Sequence, residues 1–177
     1  MSDGKKIKYE IALKQAQCVI AQLQLYCDRI EIAGSVRREC AEVGDIEIVC
    51  IPKIDMAGLF SDIPIRNVDF CQAVDGWRKV KGQATGKYMQ RILPGGINLD
   101  IFTATAENWG LILAIRTGSA TYSHEVLAKR WVSLGYKSAD GMLRKYNDYD
   151  NPIPLPNEQD LFDLLGLAYD IPQARNL

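Results

Sequence analysis

One histidine, His124, stands in 177 residues, so a multi-histidine metal centre cannot be built within one chain. The five cysteines (Cys18, Cys27, Cys40, Cys50, Cys71) are an odd number without C-x-x-C spacing. That argues against both a disulfide framework and a zinc site, and for free thiols in a reducing compartment. No apolar run approaches membrane-spanning length, and Met1 to Lys8 is polar and lysine-bearing with no signal-type apolar core behind it. There is no internal repeat, no low-complexity tract, no Ser/Gly-rich linker and no surplus of one charge, the formal balance being -1.

What is present suits a chain that buries a core, with 47% hydrophobic and 24% charged residues. Ala12, Ala16, Val19, Leu23 and Tyr26 recur on one helical face, which predicts a leading helix. Strands are predicted over 29–32 and 45–51, the second ended by Pro52, then around 68–74, 77–81, 88–93 and 97–102, with a turn at Gly95-Gly96. A short helix is expected over 56–60. After about residue 105 the pattern changes to helices over 109–116 and 123–134, a hairpin at Asp140-Gly141, and a last helix capped by Asn157 and closed by Gly166. The expectation is an α+β fold, a mixed β-sheet with helices on one face over 1–105, followed by a small α+β domain over 106–177.

Chemistry concentrates in three separated pieces: Gly34-Ser35-Val36-Arg37-Arg38, then Gly44-Asp45-Ile46-Glu47-Ile48-Val49, then Ile97-Asn98-Leu99-Asp100-Ile101-Phe102. Along a strand, side chains alternate, so Asp45 and Glu47 face one way while Ile46, Ile48 and Cys50 face the other. Asp100 interrupts a second alternating run, and a neighbouring strand brings it to the same patch. Three carboxylates are hard oxygen ligands suited to two Mg²⁺ or Mn²⁺ ions, with nucleotide phosphates as further ligands. Gly34 permits a tight turn whose amides and Ser35 hydroxyl face a phosphate, and arginine offers planar multi-donor charge. The reaction such a set performs is nucleotidyl transfer by in-line displacement.

These spacings resemble the nucleotidyltransferase superfamily, and within it the family X DNA polymerases related to polymerase beta. That pattern is Gly-Ser, an Arg three residues later, a Gly six further on, Asp-x-Asp, and a third Asp on a later strand. Ser35, Arg38, Gly44, Asp45 and Asp100 fit it, while Glu47 stands where the family usually has Asp. The resemblance implies a nucleotidyltransferase palm over 1–105, with Gly34, Ser35, Arg38 and Gly44 on the triphosphate and Asp45, Glu47 and Asp100 on the metals. Asp100 would also help deprotonate the primer hydroxyl. Arg116-Thr117-Gly118-Ser119 matches the family's Thr-Gly-Ser element at the nucleotide sugar, implying a thumb-like domain over 106–177 with Arg116, Thr117, Gly118 and Ser123 at the nucleotide. Ile115-Arg116 replaces the family's aromatic pair, so discrimination against a ribose 2′-hydroxyl does not carry over. The family's minor-groove Asn and Arg fall on Ser123 and Leu127, which implies lower fidelity.

The pI near 5.9 averages an uneven distribution. Arg78, Lys79, Lys81, Lys87 and Arg91 lie in a stretch without acids, whereas 148–170 holds six acids and no base. With Lys129 and Arg130, the basic residues are expected to follow a DNA backbone. Lys137, Arg144 and Lys145 extend the second basic group. The expected protein is a monomeric DNA polymerase, cytoplasmic and nucleoid-associated through DNA, filling short gaps in primed DNA from nucleoside triphosphates. A template-independent nucleotidyltransferase acting on RNA, protein or a small molecule is the alternative. Gly82-Gln83-Ala84-Thr85-Gly86-Lys87-Tyr88 is one residue short of a P-loop and has Tyr88 where the Mg²⁺-binding Ser or Thr belongs, so it reads as a turn. Trp109 and Trp131 sit on apolar helical stretches and read as core.

Overall fold

The structure, a computed structural model, describes residues 6–58 and 61–177; expectations for 1–5 and for 59 and 60 lie outside it. It divides into two compact units, one formed by the chain up to Val36 together with Cys40–Thr103, the other by Arg37–Glu39 with Ala104–Leu177.

The first unit carries β1 (Ile7–Lys8), α1 (Tyr9–Leu23), β2 (Cys27–Ile32), most of the single turn α2 (Gly34–Arg37), and β3 (Glu42–Val43). It continues with β4 (Asp45–Pro52), β5 (Ile54–Gly58), β6 (Ser61–Arg66), α3 (Val68–Asp75), β7 (Arg78–Lys81), β8 (Tyr88–Ile92) and β9 (Asn98–Thr103). Five strands form a mixed sheet in the order β2-β4-β9-β8-β7, in which β4 and β9 run parallel and the other neighbours antiparallel. The apolar stripe of α1, Ala12, Ala16, Val19 and Leu23, is buried with Ile46, Ile48, Leu99 and Ile101 from one face of the sheet. Phe70 and Val74, four apart on α3, join that core. Because side chains alternate, burying Ile46, Ile48, Leu99 and Ile101 turns Asp45, Glu47 and Asp100 to the opposite face.

Two local expectations fail here. The stretch 68–74 is helix rather than strand, because the Asn67 side chain accepts from the Phe70 amide at 2.8 Å and caps a turn whose Phe70 and Val74 share a face. Residues 56–58, expected in a helix, belong to the β5–β6 hairpin, a separate two-stranded sheet. There Met56 and Ile54 are exposed, so no helical core face holds them.

The second unit contains α4 (Trp109–Thr117), α5 (Ala120–Tyr122), a π-helical stretch over Ser123–Ala128, α6 (Lys129–Ser133), β10 (Tyr136–Ala139), β11 (Met142–Lys145), β12 (Asp148–Ile153) and α7 (Glu158–Leu165). Its core joins Leu111, Ala114, Leu127, Trp131, Leu143, Leu161 and Phe162. The fully buried Trp109 and the nearly buried Trp131 are packed in protein, not offered to bases. The helix α4 crosses the start of α7 so closely that a side chain at Gly110 would overlap the Asn157 carbonyl, and the Gly110 amide donates to Leu155 at 2.8 Å. The Asn157 amide is capped by Asp160 at 2.7 Å, and Gly166, at φ +62°, ends α7.

Candidate active site

In the first unit, parallel pairing sets Asp45 opposite Asn98 and Glu47 opposite Asp100. The three carboxylates therefore share one face across two adjacent strands. Asp100 is only 8% exposed, while Asp45 and Glu47 are half-buried. The Tyr88 hydroxyl donates to Asp100 Oδ1 at 2.9 Å, and its ring stacks on Phe102 with centroids 5.0 Å apart. Among the described residues no group of three carboxylate, histidine or cysteine side chains closes into a metal-ligand set. What the fold supplies is the register and the donor chemistry, oxygen ligands only, which suits a hard divalent cation.

The Gly34 turn lies against this face. The Ala33 amide donates to the Glu47 carbonyl at 2.8 Å, and Gly34 follows in the left-handed region at φ +60°. A side chain there would overlap the Glu47 carboxylate, with its Cδ only 2.8 Å from the added carbon. Glycine thus lets backbone and carboxylate touch. The Ser35 Oγ beside it is buried and has no hydrogen-bond partner among the described residues, an arrangement that a phosphate oxygen would relieve. A side chain added at Gly44 meets nothing within 4 Å, so the backbone before Asp45 borders open space. These features fit an anion and a divalent cation on one side of the sheet.

Gly34→Ala is expected to destabilise the first unit by about 1–2 kcal/mol from the left-handed backbone alone, and to displace Glu47 as well. Thermal unfolding checks it; an unchanged midpoint would mean that the turn relaxes freely.

In the second unit the Arg37-Arg38 pair meets the Thr-Gly element. Arg37 donates to Thr117 Oγ1 at 2.6 Å and, through both terminal nitrogens, to Glu158 at 2.9 and 2.7 Å. Arg38 donates to the Thr117 carbonyl at 2.7 Å and to Asn176 Oδ1 at 2.6 Å. Thr117 is fully buried and its hydroxyl serves Arg37, whereas Arg116 is exposed. An added carbon at Gly118 would stand 2.7 Å from Ser123 Oγ, and that hydroxyl donates back to the Ile115 carbonyl at 2.8 Å. The same added carbon would stand 2.8 Å from Tyr122 Cδ1, so glycine at 118 lets the turn pack closely onto α5.

The basic residues divide. Arg78, Lys79, Lys81 and Lys87 are exposed on or beside β7 and β8. Arg91 is fully buried: it donates to the Val74, Lys81, Gly82 and Gln90 carbonyls and pairs with Asp75 at 2.9 Å. It shares the core-facing parity of Met89, so its expected place on a DNA-tracking surface is corrected to a structural one. Lys129 pairs with Glu125, and Arg130 donates to the Leu165 carbonyl at 2.8 Å, closing the end of α7.

Sequence reading missed Tyr88, Glu158 and Arg175. In sequence Tyr88 reads only as the residue that spoils a P-loop, and the pairing of β8 with β9 reveals its partner. Glu158 follows the Asn157 cap, where an acid suits the start of a helix. Its binding to two arginines is visible only in three dimensions. No family model matches the chain, and no curated protein matches it.

Proposed function

We propose that this chain is a nucleotidyltransferase that transfers a nucleoside monophosphate from a triphosphate to a primer 3′-hydroxyl, acting as a short-gap-filling DNA polymerase. The observation that carries the reading is Glu47 opposite Asp100 across a parallel strand pair, with Asp45 on the same face and the Gly34-Ser35 turn against Glu47. Asp45, Glu47 and Asp100 would hold two divalent cations. Such ions, when bound, neutralise phosphate charge and favour the alkoxide form of the attacking hydroxyl. The Ser35 hydroxyl, without a partner among the described residues, would be the donor to a phosphate oxygen. The Asp100 carboxylate would help accept the hydroxyl proton as the 3′-oxygen bonds to the α-phosphorus and pyrophosphate departs. The nucleotidyltransferase palm belongs to this proposal, as does a thumb-like role for the second unit.

A second reading, transfer to an RNA, protein or small-molecule acceptor without a template, draws support from one observation. Arg91 is committed to the protein interior, and Lys129 and Arg130 are engaged by protein groups. The exposed Arg78, Lys79, Lys81 and Lys87 keep the DNA reading ahead.

The deciding experiment extends a labelled primer on a one-nucleotide-gapped duplex, with each dNTP and NTP separately, in Mg²⁺ and in Mn²⁺. Template-matched extension supports the polymerase. Nucleotide binding without extension moves the acceptor elsewhere.

A further inference from the structure

Resting on the reading of Asp45, Glu47 and Asp100 as the cation-binding face, we infer that Tyr88 is a positioning residue, whose phenol fixes the Asp100 carboxylate for ligation. The contact is a diagonal one across β8 and β9. Tyr88 pairs with Phe102 and Gln90 with Asp100, so Tyr88 and Asp100 lie on one sheet face two residues out of register. A long aromatic side chain spans that diagonal. The hydroxyl reaches Asp100 Oδ1 at 2.9 Å, and a hydrogen bond to an ionised acceptor is of the stronger kind.

The donor is itself held. Its ring lies 19° from parallel to that of Phe102 at 5.0 Å, and Lys81 Nζ stands 5.7 Å from the ring centroid. Phe102 is nearly buried, so the stack is anchored to the sheet. A phenylalanine at 88 would stack equally well and bury as much apolar area. The hydroxyl therefore has a use that packing does not explain. By engaging Oδ1 it restrains the plane of the carboxylate that would ligate a cation. Groups that orient a ligand in this way typically contribute 10–100-fold in metal affinity or activity.

The test compares Tyr88→Phe, Phe102→Leu and Asp100→Asn with the parent chain, each as the 177-residue protein. Mn²⁺ binding is followed by electron paramagnetic resonance without nucleotide, thermal midpoints are taken alongside, and primer extension is titrated with Mg²⁺. Tyr88→Phe is expected to weaken Mn²⁺ binding about 10–100-fold. Its Mg²⁺ optimum should move upward, with activity recovered at high Mg²⁺, KM for nucleotide at saturating metal little changed, and the thermal midpoint held. Phe102→Leu, which loosens the ring but keeps the hydroxyl, should weaken Mn²⁺ binding by less. Mn²⁺ binding by Tyr88→Phe equal to that of the parent, while Asp100→Asn loses it, overturns the role of Tyr88 and leaves the site reading standing. A lowered midpoint with unchanged Mn²⁺ binding makes Tyr88 merely structural and also overturns it. Binding of Mn²⁺ untouched by Asp100→Asn overturns the cation site itself, and this inference with it.

Discussion

Asp100→Asn is expected to abolish nucleotide transfer, lowering turnover on the order of 10³-fold or more, with the thermal midpoint at or above that of the parent chain. Cation-assisted stabilisation of phosphoryl charge is worth several kcal/mol, and each 1.36 kcal/mol is tenfold in rate. Asparagine keeps the Oδ1 acceptor, so the Tyr88 hydrogen bond survives and the fold has no reason to fail. It also removes one of three like charges on a shared face, which relieves repulsion in the metal-free protein. Single-turnover extension beside thermal unfolding separates the two effects. Parent-like turnover by this variant would falsify the assignment of Asp100 to the reaction.

The second large effect falls on stability. Glu158→Gln is expected to destabilise the second unit by about 3–5 kcal/mol, the usual penalty for stripping the partner from a buried charge. Arg175 is fully buried, donates to Glu158 Oε1 at 2.5 Å and to the Asp170 carbonyl at 2.9 and 2.7 Å, and lies over the rings of Phe162 and Tyr169. With Arg37 on the same carboxylate, the glutamine variant leaves two guanidinium groups around a neutral amide. The expected fall in the unfolding transition is about 10 °C or more. Glu125→Gln, at the exposed pair with Lys129, serves as the control and should leave the transition in place.

The same carboxyl gives an acid signature. Burial pushes Glu158 up, but the hydrogen bonds and charges of Arg37 and Arg175 outweigh burial and hold it below the ordinary carboxylate range. A group whose folded value is depressed stabilises the fold above its unfolded value of about 4.3 and loses that contribution as pH falls through the folded value. The parent should therefore lose stability below about pH 4, and Glu158→Gln should show a flatter acid limb. Equal acid limbs in the two proteins would remove Glu158 from the account.

Much of this arrangement is written in local pattern. The α1 stripe at 12, 16, 19 and 23 shows in spacing alone, and the alternation around Asp45, Glu47 and Asp100 shows which way each carboxylate turns. Register does not show. Nothing in the chain order says that Glu47 meets Asp100 rather than Asn98, or that Tyr88 lies diagonal to Asp100. Val68 to Val74 reads as strand because its apolar residues suit either period, and the Asn67 cap decides the matter. Arg91 looks like surface charge until α3 and the β7–β8 turn present the carbonyls and the Asp75 carboxylate that occupy its guanidinium.

The parallel pairing of β4 with β9 also bears on the order of folding. The antiparallel pairs β2–β4 and β7–β8–β9 each join strands near in sequence, whereas β4 and β9 are separated by β5, β6, α3, β7 and β8. Closing that loop costs more chain entropy than closing the local pairs, so this seam is expected to be the last contact of the sheet to form. Asp45 and Glu47 lie on one side of it and Asp100 on the other. During synthesis the nascent protein holds each half of its acidic face before the halves become neighbours, and any ligand that needs all three carboxylates can select only chains in which the seam has closed.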